Sequence, residues 1–126
     1  MPFIHVRSLP FRQSFDVERV VNGLARDFAK GTGIGLKHVT VTWEFLDPGH
    51  YAVAGKSARH QPRRSHPVLV DLLAPEFNSP AAVGKMMTTV ASSIARRTRV
   101  SIRNIFINHR EVRSRMVFDA GGIVRW

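Results

Sequence analysis

Two stretches of the chain carry apolar residues at helical spacing. Val17, Val20, Val21, Leu24 and Phe28 recur at i, i+3, i+4, i+7 and i+11, and Val83, Met86, Met87, Val90 and Ile94 repeat the stripe. Each marks a helix packed on one side. The first is expected to start after Ser14, with Asp16 and Glu18 opposing the helix dipole in its first turn. The second is expected after Ser79, with Pro80 at its first position. Strand-like segments flank both. Phe3 to Ser8 and Val68 to Leu73 precede them, while Val39, Val41 and Trp43, then Ile105 and Ile107, alternate with polar or outward positions after them. Asp119-Ala120-Gly121-Gly122 reads as the turn of a terminal hairpin between Met116-Val117-Phe118 and Ile123-Val124-Arg125.

The two halves are copies of one unit. A shift of 66 positions lays Phe11 on Phe77, Val17 on Val83, Ala25 on Ala91, Ala29 on Ala95 and Thr32 on Thr98. The expected fold is therefore α/β: two tandem βαβ units, about 2–55 and 67–126, forming a four-stranded mixed sheet with two helices on one face and a C-terminal hairpin. All of residues 1–126 form one domain, and a basic connection, 56–66, joins the units. From Asp47 to His66 the Pro, Gly, Arg and His content reads as a surface excursion. A ferredoxin-like sheet would interleave the units, whereas a tautomerase-like sheet keeps each βαβ parallel and relates the halves by a pseudo-twofold. Similarity between the halves favours the second.

Composition adds bounds. With 126 residues, 44% of them hydrophobic and 22% charged, the chain suits a single globular core. It has no cysteine, hence no disulfide, thiolate metal site or cysteine nucleophile. No apolar run reaches the ~20 residues of a membrane span, so a cytoplasmic protein without membrane partners is expected. Charge is the outlier, at +10. The excess sits in two segments, Lys56, Arg59, Arg63 and Arg64 with no acid, then Arg96, Arg97, Arg99, Arg103, Arg110, Arg113 and Arg115 against Glu111 alone. Such clustering suits an anionic partner or a solvated face.

Pro2 is the sharpest chemical candidate. Once Met1 is removed, residue 2 is a free secondary amine, and an apolar pocket ringed by arginine would lower its pKa toward that of a general base. Gly31-Thr32-Gly33-Ile34-Gly35 follows a helix and so reads as a helix end rather than a phosphate loop. The six histidines, His5, His38, His50, His60, His66 and His109, show no metal spacing, so neither a metal nor a cofactor is expected.

Pro2 running into Phe3-Ile4-His5-Val6, Arg12 before the first helix, the strand His38 to Phe45, and Asp47 to Gly55 with its Gly49-His50-Tyr51 centre together resemble the tautomerase superfamily, of the 4-oxalocrotonate tautomerase type. The likeness covers nearly the whole chain as two tandem family units. The second half is also similar to a bacterial tautomerase-fold family of unassigned function. The resemblance implies a homotrimer. It also implies proton transfer by Pro2 on a small 2-oxo or enol carboxylate, with Arg12 binding the carboxylate and Tyr51 as an aromatic wall. A second family arginine is matched by Thr40, which donates one hydrogen bond and no charge; its loss could remove several kcal/mol of oxyanion stabilisation. Arg103, Arg110, Arg113 and Arg115, on or after the last main strand, are candidates to replace it, with Arg103, Arg110 and Arg115 taken as substrate-binding. Ala74-Pro75-Glu76 stands where related decarboxylases carry arginines, which disfavours decarboxylation. Pro67 is taken as the second-half partner of Pro2, its nitrogen locked in a peptide bond. A catalytically silent scaffold of this fold and an electrostatic nucleic-acid binder are the alternatives. The second lacks RRM aromatics and a KH loop.

Overall fold

A computed structural model describes residues 1–126. Strand β1 (Phe3–Ser8) leads to helix α1 (Val17–Thr32) and strand β2 (Thr40–Phe45). A small hairpin, β3 (Ala52–Val53) and β4 (Lys56–Ser57), follows, and then the unit repeats as β5 (Val68–Pro75), α2 (Pro80–Thr98) and β6 (Ile105–Val112). The terminal hairpin pairs β7 (Phe118–Asp119) with β8 (Gly122–Ile123). The sheet order is β2-β1-β5-β6, with β1 parallel to β2, β5 parallel to β6, and the central β1–β5 pair antiparallel. Each unit keeps its own strands together, so the interleaved arrangement is excluded. No helix is long and apolar enough to cross a membrane.

The 66-residue shift holds through every strand register. Phe3 pairs with Thr40 as Leu69 pairs with Phe106, and Ile4 with Val41 as Val70 with Ile107. Two pairs lie on the axis that exchanges the halves. His5 faces Asp71 in the sheet, and Ser93 Oγ donates to Asp27 Oδ2 at 2.6 Å in the helix layer. This register corrects one expectation: the counterpart of Pro2 is Val68, and Pro67 lies one residue before it.

Alternation explains the layers. Ile4, Val6, Val68, Val70, Leu72 and Ala74 turn toward the helices and meet Leu24, Phe28, Met86, Val90 and Ile94 in one buried core. Strands alternate faces, so Phe3, His5, Arg7, Leu69, Asp71, Leu73, Phe106, Asn108 and Arg110 turn to the face without helices. Asp27 binds the helices together: Arg97 Nε and Nη2 donate to its carboxylate at 2.9 and 3.2 Å, and Arg96 Nη2 at 2.6 Å. Gly23 makes room for this, since a Cβ there would run into the Arg97 guanidinium.

Helix ends differ from expectation in one place. Helix α1 starts two residues later than Ser14 suggested, because Asp16 is the cap, its carboxylate accepting from Arg19 N at 3.1 Å. Phe15 is drawn instead onto Phe11, ring to ring at 4.3 Å. Ser79 and Pro80 start α2 as expected, and Gly33 (φ 78) ends α1 in the left-handed conformation.

The connection 56–66 is pinned rather than loose. Gln61 Nε2 donates to the carbonyls of Pro62 and His66, its Oε1 accepts from Leu9 N at 3.1 Å, and its own N donates to Pro10 O at 2.7 Å. His66, only 7% exposed, donates from Nε2 to Lys56 O at 2.8 Å. Buried Asn104 reaches back to Ser65 O at 2.8 Å. A segment whose backbone polar groups find such partners can lie against the sheet.

Candidate active site

Pro2 is buried at the start of β1, where its carbonyl accepts from Thr40 N at 3.1 Å. Burial lowers the pKa of the Met1 ammonium just outside it, and the Asp119 carboxylate on the terminal hairpin opposes that shift. The hairpin therefore lies close enough to the chain start to act on its charge. Register places Phe3 beside Thr40 on one side and Leu73 on the other, and Leu73 beside Arg110. This row crosses the open sheet face, above a cavity of about 510 Å³ lined by Phe3, His5, Thr42, Asp71, Leu73 and Arg110.

Charge in that cavity is organised around the axis pair. Asp71 accepts from Arg7 Nη2 at 2.8 Å, and Arg110 Nη2 stands 3.8 Å from its other oxygen. His5 hydrogen-bonds Thr42 Oγ1 and lies 3.6 Å from Glu44. Arg110 is loosely held and its side chain is 67% exposed, so its fork can turn to another anion. Sequence reading did not single out Arg7 or Asp71. The signal was available in the repeat, which sets His5 and Asp71 at equivalent positions.

The expected site residues divide between the two ends of the sheet. Thr40 and Arg110 lie at the Pro2 end. Arg115 lies in the segment leading to the terminal hairpin, at φ 73, with its N donating to Val124 O at 2.9 Å. Arg12, Tyr51 and Arg103 lie at the other end. Tyr51 OH donates to Pro67 O at 2.7 Å, with its ring edge-on to His66 at 5.3 Å, and burial pushes its phenol above 10.0. Arg12 lines a cleft with Gln61, Arg63 and Arg99, and Arg103 another with Arg64, Ser101 and Asn104. A six-residue strand, about 20 Å at ~3.3 Å per residue, separates Pro2 from Arg12. They flank the same extended strand, and the antiparallel central pair then sets the residue after β5 beside the start of β1. The position equivalent to Arg12 at the Pro2 end is Asn78, a neutral side chain that donates to Pro75 O at 2.8 Å.

No protein-family model and no curated protein matches the sequence. Solved structures do. A fused 4-OT wild-type symmetric trimer superposes with a TM-score of 0.82 at 11% identity, over 97% of this chain and 94% of that one. Pt0534, inactivated by 2-oxo-3-pentynoate, gives 0.79 at 14% identity over 97% and 94%. N1, a member of the cis-3-chloroacrylic acid dehalogenase family, gives 0.77 at 16% over 97% and 82%. These likenesses run the full length of both βαβ units and establish the fold: this chain has the architecture of the fused, two-unit tautomerases.

Proposed function

We propose that the protein is a tautomerase-type isomerase acting on a small 2-oxo or enol carboxylate, with the Pro2 amine as general base after loss of Met1. The observation that carries the reading is the position of Pro2: second in the chain, buried at the head of β1, in a fold shared with fused 4-OT. Removing Met1 would leave the secondary amine in the place where burial already disfavours a charged ammonium. A neutral amine there takes the enol hydroxyl proton, and the resulting ammonium delivers a proton to the carbon, so the amine is back in its starting form as the ketone leaves. Thr40 donates one hydrogen bond to the developing oxyanion, and Arg110 and Arg115 hold the carboxylate.

Arg12, Tyr51 and Arg103 cannot reach Pro2 of their own chain. A homotrimer, the assembly of the fused 4-OT neighbours, is the proposed assembly. The cytoplasm is the proposed location.

The test uses 2-oxo-3-pentynoate, the inactivator of the Pt0534 neighbour. An amine nucleophile adds across its activated alkyne, so intact mass is expected to show a chain lacking Met1 and carrying one inhibitor, with the adduct on the peptide that begins at Pro2. Retained Met1, or an adduct elsewhere, would refute the assignment and favour the catalytically silent scaffold.

A further inference from the structure

The sheet end away from Pro2 carries an unusual concentration of arginine. Arg12, Arg63 and Arg99 line a cleft of about 340 Å³. A second cleft shares Arg12 and Gln61 with it and adds Arg59. A third holds Arg64 and Arg103, and it joins the first where Ser101 N donates to Arg63 O at 3.1 Å. The two basic segments of the sequence, far apart in the chain, converge here. No acidic residue lines any of the three clefts.

These six arginines differ from the four that are paired, and unlike the other unpaired ones they gather at one pole. Arg7, Arg96, Arg97 and Arg110 each face a carboxylate, whereas none of the six forms an ion pair. Like charges gathered at one pole repel, and an anion bound among them relieves that repulsion. The mounting is rigid as well. Gln61, His66 and Asn104 fix the backbone of the connection that carries Arg59, Arg63 and Arg64, so the positions from which these side chains extend are set before any ligand arrives. Arg99 adds a separate sign. It ends α2 at φ 64, the left-handed position that Gly33 fills at φ 78 in the sister unit. A side chain there is strained where glycine is not, and the residue that accepts the strain contributes a guanidinium to the cleft.

We propose that this pole is a second binding site, distinct from Pro2, for a small ligand bearing more than one phosphate charge, such as a diphosphate or phosphate ester. One carboxylate is saturated by a single arginine fork, whereas a diphosphate presents enough oxygens for several. Adjoining concave clefts suit a compact ligand better than an extended strand, which would need a continuous groove with stacking aromatics. Phe11 and His60 are the two aromatic rings lining them.

The test is calorimetric titration of the full chain with inorganic pyrophosphate at constant ionic strength. Saturable one-site binding is expected, weakened at least tenfold in Arg63→Ala/Arg99→Gly. All of the exchanged side chains are exposed and glycine relieves the left-handed strain, so this variant is expected to keep the wild-type circular dichroism and melting temperature or better it. Pro2→Ala is expected to bind pyrophosphate as the wild type does, which separates this site from the fate of the Pro2 reading. Absence of saturable binding, or equal affinity in the arginine variant, overturns the proposal. So does an oligonucleotide whose affinity grows with length and which pyrophosphate fails to displace, since that assigns the pole to nucleic acid.

Discussion

Replacing Asp27 by asparagine tests how the two units are held together. The carboxylate takes both nitrogens of the Arg97 fork, Ser93 Oγ and Arg96 Nη2, so four donors from α2 converge on one side chain of α1. Asparagine keeps one acceptor oxygen, turns an NH2 group toward these donors and removes the charge. Arg96 is 63% exposed and contributes little, as solvent-facing pairs do. Asp27 and Arg97 are 23% and 26% exposed, so their bidentate pair carries most of the effect. Charge-assisted hydrogen bonds contribute about 1.5–3 kcal/mol each, and leaving the Arg97 fork half-satisfied adds to the loss. A destabilisation of about 2–4 kcal/mol is expected from urea unfolding at pH 7. Acid should erase the difference. Burial raises the Asp27 carboxyl, but hydrogen bonds from Arg97 and Ser93 and the charges of Arg97 and Arg96 outweigh it and leave it below 3.8. A group depressed on folding stabilises fully above its unfolded pKa and loses that contribution as pH falls through the folded value. The gap between wild type and Asp27→Asn is therefore expected to be full at pH 6–7 and to close below the carboxylate range. A variant within about 0.5 kcal/mol of wild type at pH 7, or a gap independent of pH, would refute the reasoning.

Three further outcomes are expected. Arg99→Gly, at φ 64, should raise stability by about 1 kcal/mol, seen as a rise of a few degrees in melting temperature; a fall would show that Arg99 is not strained. Gln61→Leu leaves Leu9 N without its acceptor and His66 O without its donor, and should cost about 2–3 kcal/mol in urea unfolding; a change under about 0.5 kcal/mol would contradict its role in pinning the connection. Ultraviolet titration should place the Tyr51 phenol above 10.0 in the folded protein and at its ordinary value in denaturant, so stability present below that value falls as alkali ionises it; a folded midpoint at or below 10.0 would contradict its burial.

The repeat was legible because it rests on local pattern. Val17 to Phe28 and Val83 to Ile94 show their helical stripes without any knowledge of the other half, and the alternation at Val39, Val41 and Trp43 shows its strand. Helix α1 was misplaced by two residues because Ser14 and Asp16 are both good caps, and packing of Phe15 on Phe11 decides between them. The surface excursion from Asp47 to His66 was legible in its composition, but the contacts that pin its 56–66 part were not, because Leu9, Pro10, Ser101 and Asn104 are distant in sequence. Charge clustering was visible in both basic segments, but their meeting at one pole required the strand order. The site was least legible. Motif matching groups Arg12 with Pro2, whereas the extended strand β1 sets them at opposite ends and the antiparallel β1–β5 pair puts neutral Asn78 at the equivalent place near Pro2.

The central claim is that the Pro2 amine moves the proton, and the direct measurement is the enol-to-keto conversion of phenylpyruvate by the chain lacking Met1, compared with Pro2→Ala of equal melting temperature. General-base catalysis is worth about 100-fold to 10,000-fold, so a fall in kcat/KM of at least about 100-fold is predicted. Equal rates in the two proteins would contradict it.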